Sequence, residues 1–154
     1  MKKIIALVVG AIVLIVASTS LVGKENVKVG YLLVGPKNDG GWSMRHEQGF
    51  QSLTKYGHKV SGIEMAPEAE AAKLLGKLAR KNDIVFATSF GYMDGMVKAA
   101  KKHPDTIFMH ATGYKGNDTN MDNYGCMSYQ ARYLTGVAAG LMTKTNRIGV
   151  VGSY

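Results

Sequence analysis

The sequence predicts an α/β fold, a doubly wound parallel sheet with helices on both of its faces. Short runs rich in β-branched and aromatic residues alternate along the chain with segments of helical periodicity. The run Asp83–Thr88 contains an uninterrupted apolar stretch, as expected of a central strand that helices cover on both sides. A polar, glycine-rich loop, Gly35–Ser43, follows the first such run, and open α/β sheets bind their ligands at this position.

Five strands and four helices are predicted from these patterns. In chain order the strands are Val27–Val34, Lys59–Met65, Asp83–Thr88, Thr106–Ala111 and Arg147–Val151. The helices are Ser43–Tyr56, Pro67–Lys81, Asp94–Lys102 and Ser128–Thr143. The polar stretch Thr112–Asn123 is predicted to be a long loop. This order implies right-handed crossovers between parallel strands.

The second helix has the clearest pattern of the four. The apolar residues that recur on one of its faces are Ala71, Leu74, Leu75 and Leu78. Glutamates near its start and basic residues near its end match the helix dipole. The residues expected to face the core from the first helix are Phe50, Leu53 and Thr54. Ser43 and Asp94 are expected to cap the first and third helices.

The amino terminus has the pattern of a secretory signal peptide. Lys2 and Lys3 precede an apolar run of 14 residues, Ile4–Ala17, and small residues follow up to Ser20. We therefore expect residues 1–20 to direct export to the periplasm or to the outer face of the cytoplasmic membrane. Both cleavage after Ser20 and retention as a short membrane tether are compatible with the sequence.

The formal net charge of the chain is +8. Its Lys and Arg residues are spread along the sequence, and no basic run is interleaved with aromatic residues, which argues against nucleic-acid binding. Scattered, solvated charge is the favoured interpretation, and contact with acidic lipid headgroups or an acidic partner is the alternative. The single cysteine, Cys126, excludes an internal disulfide and is expected to be a small buried apolar residue.

Three loops leave the carboxyl ends of the predicted strands at the same edge of the sheet. They are Gly35–Ser43, Thr88–Tyr92 and Thr112–Tyr114. The side chains that they bring to one rim are Asp39, Trp42, Ser89, Phe90, Tyr92, Thr112 and Tyr114. Aromatic faces with a few hydroxyls and one carboxylate suit a flat heterocycle that forms hydrogen bonds. The alternative is that the aromatic residues only cover the core.

Most catalytic and cofactor motifs are missing from the sequence. Gly35–Gly40 is followed by Gly41 instead of lysine, so it is not a P-loop, and no dinucleotide fingerprint follows any strand. The His46-Glu47 pair lacks the second histidine of a zinc helix. We therefore predict no cofactor and no metal. An exported enzyme that pairs Asp39 with His46 or His110 as acid and base is the less favoured alternative.

With these residues in hand, the chain resembles the basic membrane protein family, the substrate-binding proteins of ABC importers for purines and nucleosides. The resemblance runs from Lys28 to Val151. The blocks that carry it are Val34-Gly35-Pro36, Asp39-Gly40-Gly41-Trp42, His46 with Gln48-Gly49, Ala87-Thr88-Ser89-Phe90-Gly91-Tyr92-Met93, His110-Ala111-Thr112-Gly113-Tyr114-Lys115, Tyr133-Leu134-Thr135-Gly136, Ala138-Ala139-Gly140, Met142-Thr143-Lys144 and Ile148-Gly149.

The resemblance implies a type I periplasmic-binding-protein fold, in which two α/β lobes close on a ligand and present it to an ABC permease without catalysis. Trp42 would stack on a purine, and Asp39 and Ser89 would orient it. Phe90 and Tyr92 would form the walls of the site, and Thr112 and Gly113 its floor. Ser43 is also carried over as a ligand-binding residue. The fourth strand ends in Ala111-Thr112, where nucleoside-binding members carry an acidic residue. This difference favours a free base such as adenine over a nucleoside.

Members of that family are roughly twice as long as this chain. The resemblance therefore assigns residues 24–112 to lobe one and residues 113–154 to the crossover and an incomplete start of lobe two. The residues expected to form an exposed apolar patch for lack of a partner are Leu134, Val137, Leu141, Ile148 and Val150. A truncated fragment that binds no ligand is the alternative interpretation.

Overall fold

A computed structural model describes residues 26–152. The predicted signal peptide, residues 1–20, lies outside these residues. The chain divides into two compact units, one ending at Asn123 and one beginning at Tyr124. Within residues 26–152, no helix combines the length and the apolar character needed to cross a bilayer.

The first unit is built on a parallel sheet. Its strands are β1 (Lys28–Leu32), β2 (Lys59–Ile63), β3 (Ile84–Ala87), β4 (Ile107–Ala111) and β5 (Met121–Tyr124). Its helices are α1 (Trp42–Ser52), α2 (Ala71–Ala79) and α3 (Met93–Lys102). The strand order is β2-β1-β3-β4-β5, and β1 runs parallel to β2 and β3, as β3 does to β4. The carboxyl ends of β1, β3 and β4 therefore lie side by side.

Alternate side chains of the strands point into two apolar clusters, one on each face of the sheet. On one face, Leu32, Val85 and Phe108 pack with residues of α2 and α3. On the other face, Val29 and Tyr31 pack with α1, whose Phe50 stacks on the Tyr31 ring with centroids 4.4 Å apart. The sheet is thus covered from both sides, which confirms the predicted α/β class.

The strongest sequence patterns correspond to observed helices and strands that are shorter than predicted at their ends. Short 3₁₀ turns, Leu53–Tyr56 and Glu68–Glu70, take up the ends of two predicted helices. The predicted stripe of α2 faces the core: Ala71, Leu75 and Leu78 are buried and Leu74 is partly buried. Phe50 and Leu53 also face the core, but Thr54 is exposed, so that part of the prediction is wrong.

The predicted loop Thr112–Asn123 is wrong at its end, where strand β5 forms. The Asn117 carboxamide oxygen accepts the amides of Thr119, Asn120 and Met121 at 2.7–3.0 Å and so turns the chain back. The buried Asn120 amide donates to the carbonyls of Ala100, His103 and Thr106. These bonds hold Met121, which is 3% exposed, against β4.

Asp94 and Cys126 also differ from expectation. Helix α3 begins at Met93 after a 3₁₀ turn, so Asp94 lies inside its first turn and pairs with Lys115 instead of capping it. Cys126 is exposed instead of buried, because it precedes a helix that has no buried residue.

The second unit consists of helix α4 (Ser128–Met142) and a tail without regular structure. The predicted strand Arg147–Val151 does not form, since residues 26–152 offer it no neighbouring strand. The predicted apolar patch is confirmed: the exposed fractions of its side chains are Leu134 67%, Val137 43%, Leu141 83%, Ile148 55% and Val150 83%.

Candidate ligand site at the carboxyl edge of the sheet

The loop between β1 and α1 is held in shape by Asp39. Its carboxylate accepts the backbone N–H groups of Gly41, Ser43 and Met44 at 2.8–3.0 Å. These bonds, with Met44 contributing most, lower the pKa of Asp39 to about 2. Asp39 therefore satisfies two of the free amides at the start of α1, those of Ser43 and Met44. Asp39 was expected from the sequence to orient the ligand. In the structure its oxygens bind backbone amides of its own loop.

Ser43 is fully buried, and its Oγ accepts the Gly35 amide at 3.1 Å. The helix begins at Trp42, so Ser43 is not its N-cap as predicted. Its hydroxyl fixes the base of the loop, and the described structure leaves it no exposed surface toward a ligand.

Trp42 lies where β1 and β3 leave the sheet. Its Nε1 donates to the Thr88 carbonyl at 2.5 Å, which ties the first loop to the end of β3. The His46 ring packs near it, with centroids 4.4 Å apart and a tilt of 56°. The side chain is nevertheless 42% exposed. Because its polar edge is already bonded, the exposed part of Trp42 is an apolar ring surface suited to stacking.

The loop after β3 brings a second ring to the rim. Phe90 is 46% exposed and lies 6.1 Å from the Tyr114 ring, which follows β4. Ser89 donates its hydroxyl to Glu68 Oε1 at 2.7 Å, so a carboxylate lies beside the rim as well. Lys115 pairs with Asp94 at 2.5 Å and also lies near the Tyr114 ring. Rings and charged groups from separate loops thus meet at this edge.

Tyr92 does not line the rim. Its side chain is fully buried, and its hydroxyl lies 2.7 Å from the Ala66 carbonyl and 3.2 Å from that of Leu33. Burial, followed by the charge of Glu68, raises its pKa to about 12. The expected wall role of Tyr92 is therefore corrected: the 3₁₀ turn Phe90–Tyr92 directs it into the core.

The floor of the rim is formed after β4. Thr112 is exposed at its side chain and has a left-handed φ of 61°, and its Oγ1 donates to the Ala111 carbonyl at 2.6 Å. A Cβ at Gly113 would collide with Asn123 Oδ1 and His110 Nδ1. Gly113 is thus needed for the close approach of the chain to His110.

Sequence analysis considered His110 only as an acid or base, yet the structure places it directly beneath Gly113. It is fully buried, and neither ring nitrogen has a hydrogen-bond partner of good geometry within residues 26–152. Burial lowers its pKa, and the backbone of Ser89 counteracts this only in part. The sequence feature that could have indicated this position is a histidine inside an apolar strand, two residues before the rim.

The arrangement offers ring surfaces and hydrogen-bonding groups more readily than acid–base chemistry. Asp39 is held as an anion by backbone amides, and His110 is held neutral by burial. Residues 26–152 contain no group of three or more histidine, cysteine, aspartate or glutamate side chains that could hold a metal ion.

Comparison with known proteins identifies the family. Residues 26–154 match the family described as ABC transporter substrate-binding protein, PnrA-like. The chain belongs to this family. It is a family of substrate-binding proteins and not of enzymes.

Two curated relatives match most of the chain. A purine-binding protein of Brucella abortus is 43% identical over 84% of this chain and 38% of its own length. A Haloferax volcanii protein, provisionally named an ABC transporter glucose-binding protein, is 33% identical over 84% of this chain and 34% of its own length. The chain thus spans less than two-fifths of the length of these two curated relatives.

Solved structures of solute-binding proteins share the fold. One from Conexibacter woesei superposes with a TM-score of 0.62 at 24% identity, covering 74% of this chain and 40% of that one. Another from Aeropyrum pernix has a TM-score of 0.64 at 18% identity, covering 74% and 32%.

Proposed function

We propose that this PnrA-like chain forms the first lobe of an exported ABC-importer protein that binds a purine base, adenine-like, or a nucleoside. Residues 24–112 would form the lobe, and residues 113–154 the crossover and the start of a second lobe. The protein would pass its ligand to a membrane permease and would not change it chemically.

The observation that carries this proposal is the exposed face of Trp42. Stacking of a flat base on such a surface contributes affinity without demanding a particular substituent pattern. Phe90 offers a second exposed ring from the neighbouring loop. The groups proposed to orient a base are Asp39, Ser89, Thr112 and the backbone of Gly113.

A free base is favoured over a nucleoside because the resemblance implies an acidic residue at the end of β4 in nucleoside-binding members. This chain has Ala111-Thr112 there. A sugar is a second candidate ligand, since one relative carries a glucose-binding name.

The test uses Trp42, the only tryptophan of the chain. The chain without residues 1–20, called the processed chain, is titrated with adenine, guanine, their nucleosides and glucose. Trp fluorescence is followed after correction for ligand absorbance. We expect saturable quenching by a free base, and about tenfold or greater weakening in Phe90→Ala, as the loss of one stacking surface implies. Tyr56→Ala, which removes another exposed ring from a site distant from the rim, serves as the matched control and should bind as the parent does.

Three results would contradict the proposal in different ways. A response to glucose alone would exclude a purine. A response to bases that Phe90→Ala leaves unchanged would remove the ring from the site. A folded chain that binds none of the ligands up to millimolar concentration would identify it as a non-binding fragment.

A further inference from the structure

The basic residues that are dispersed in the sequence converge at the amino ends of the strands. In a parallel α/β fold, helices run opposite to the strands, so the last turns of α2 and α3 lie at this same end. The exposed basic residues gathered here are Lys28, Lys55, Lys59, Lys77, Arg80, Lys81, Lys101 and Lys102. The ligand rim lies at the opposite end of the sheet.

Three of these lysines line one groove of about 170 Å³, which Val60, Ser61 and Asn82 complete. The three are Lys28, Lys59 and Lys81. Lys28 and Lys59 are direct register partners on neighbouring parallel strands. Their side chains therefore leave the same face of adjacent strands, which brings two like charges to one groove.

Helix dipoles explain only part of this charge. Cations are stabilised in the last turn of a helix, which accounts for Lys77 in α2 and for Lys101 and Lys102 in α3. Lys28 and Lys59 begin strands instead, where no dipole favours them. An anion lying in the groove would be attracted by both of them.

Lys28, Lys59 and Lys81 belong to none of the carboxylate ion pairs found within residues 26–152. The ion pairs found in residues 26–152 join Lys37 to Glu64, Lys73 to Glu70 and Lys115 to Asp94, all at the rim end of the first unit. At the amino end, Asp83 accepts the backbone amide of Lys28 at 2.8 Å, and Asp105 follows α3. Among the described residues, eight exposed basic side chains thus share this end with two acids.

We propose that the amino end of the sheet docks on an anionic phospholipid surface, with a headgroup phosphate seated in the groove between Lys28, Lys59 and Lys81. The groove is open, and basic residues continue beyond it across the whole end, which suits an extended charged surface better than one small ion.

The test measures sedimentation of the processed chain with phosphatidylcholine vesicles that contain or lack phosphatidylglycerol. Two triple variants of the chain are compared with the parent. The groove variant carries Lys28→Gln, Lys59→Gln and Lys81→Gln. The control variant carries Lys37→Gln, Lys73→Gln and Lys115→Gln. Both triple variants lose the same charge. We expect salt-sensitive binding to the anionic vesicles only, weakened on the order of a hundredfold by the groove changes and severalfold at most by the control changes.

Equal weakening by the two triple variants would overturn the proposal, because net charge alone would then explain binding. Binding of millimolar inorganic phosphate that the groove changes abolish, together with vesicle binding that they leave unchanged, would also overturn it by assigning the groove to a free ion. Folding is checked by thermal denaturation at low salt. The groove variant should melt close to the parent, because the exchanged side chains are exposed.

Discussion

Asp39 combines loop shape and charge in one side chain. Its pKa of about 2 lies below the ordinary value of 3.8 because three backbone amides bind the carboxylate. A group whose pKa is lowered by folding stabilises the fold above the unfolded value, and this contribution disappears as the pH falls toward the folded value. We therefore expect the parent chain to lose stability between about pH 4 and pH 2. The variant Asp39→Asn should melt at a lower temperature than the parent near pH 7, and its melting temperature should change less as the pH falls. Thermal denaturation across this pH range measures both, and Asp118→Asn controls for the loss of one charge.

Tyr92 and Phe90 show that the direction of a single side chain could not be predicted from the sequence. The two rings lie two residues apart in a single 3₁₀ turn, yet one is fully buried and the other is 46% exposed. The sequence correctly placed an aromatic loop after the third strand. The direction of each ring depends on the Ala66 and Leu33 carbonyls, which reach Tyr92 from distant parts of the chain.

His110 gives a second prediction about pH. Since burial lowers its pKa, the unfolded chain takes up this proton at a higher pH than the folded chain does. Stability is thus expected to fall as the pH drops below about 6.5, the ordinary histidine value. His110→Leu should be within about 1 kcal/mol of the parent at pH 7.5, because no hydrogen bond of good geometry is lost. Chemical denaturation at pH 7.5 and 5.5 would contradict this account if parent and variant showed the same decline.

Two helical glycines test the packing of elements. A Cβ at Gly95 in α3 would lie 2.6 Å from Ala71 Cβ and 2.8 Å from the Ala72 nitrogen, so the helices α2 and α3 approach closely there. We expect Gly95→Ala to lower the free energy of unfolding by about 1–3 kcal/mol. Gly49→Ala in α1 is the matched control: nothing lies within 4 Å of its Cβ, and better helix propensity should raise the free energy by up to about 1 kcal/mol. Urea denaturation distinguishes the two signs.

Elements defined by local pattern were predictable, and those defined by distant partners were not. The buried face of α2 is predicted by four apolar residues at helical spacing. Strand β5 has little apolar pattern and forms because the Asn117 and Asn120 side chains hold it in place. The run Arg147–Val151 has a strand-like pattern but no neighbour within the described residues. Backbone pairing, which no local pattern reports, decided both cases.

At the scale of the molecule, the second unit leaves a large apolar surface on α4. Leu134 and Leu141 are 67% and 83% exposed, and patches of this kind promote association. We expect concentration-dependent self-association in sedimentation velocity, weakened by about tenfold or more in the double variant Leu134→Glu, Leu141→Glu. The unfolding of the first unit, reported by Trp42, should not change. A parent chain that remains monomeric at high micromolar concentration would contradict the expectation.

The Asp39 loop also bears on how ligand preference can change. Its shape depends on bonds from Asp39 to three backbone amides and from Trp42 to the Thr88 carbonyl, none of which involves a ligand. Exchanges of exposed rim side chains such as Phe90 or Thr112 are therefore expected to leave the loop itself folded. The frame of the loop and the surface that it exposes are thus separable, so single substitutions on that surface can accumulate without intermediates that fail to fold.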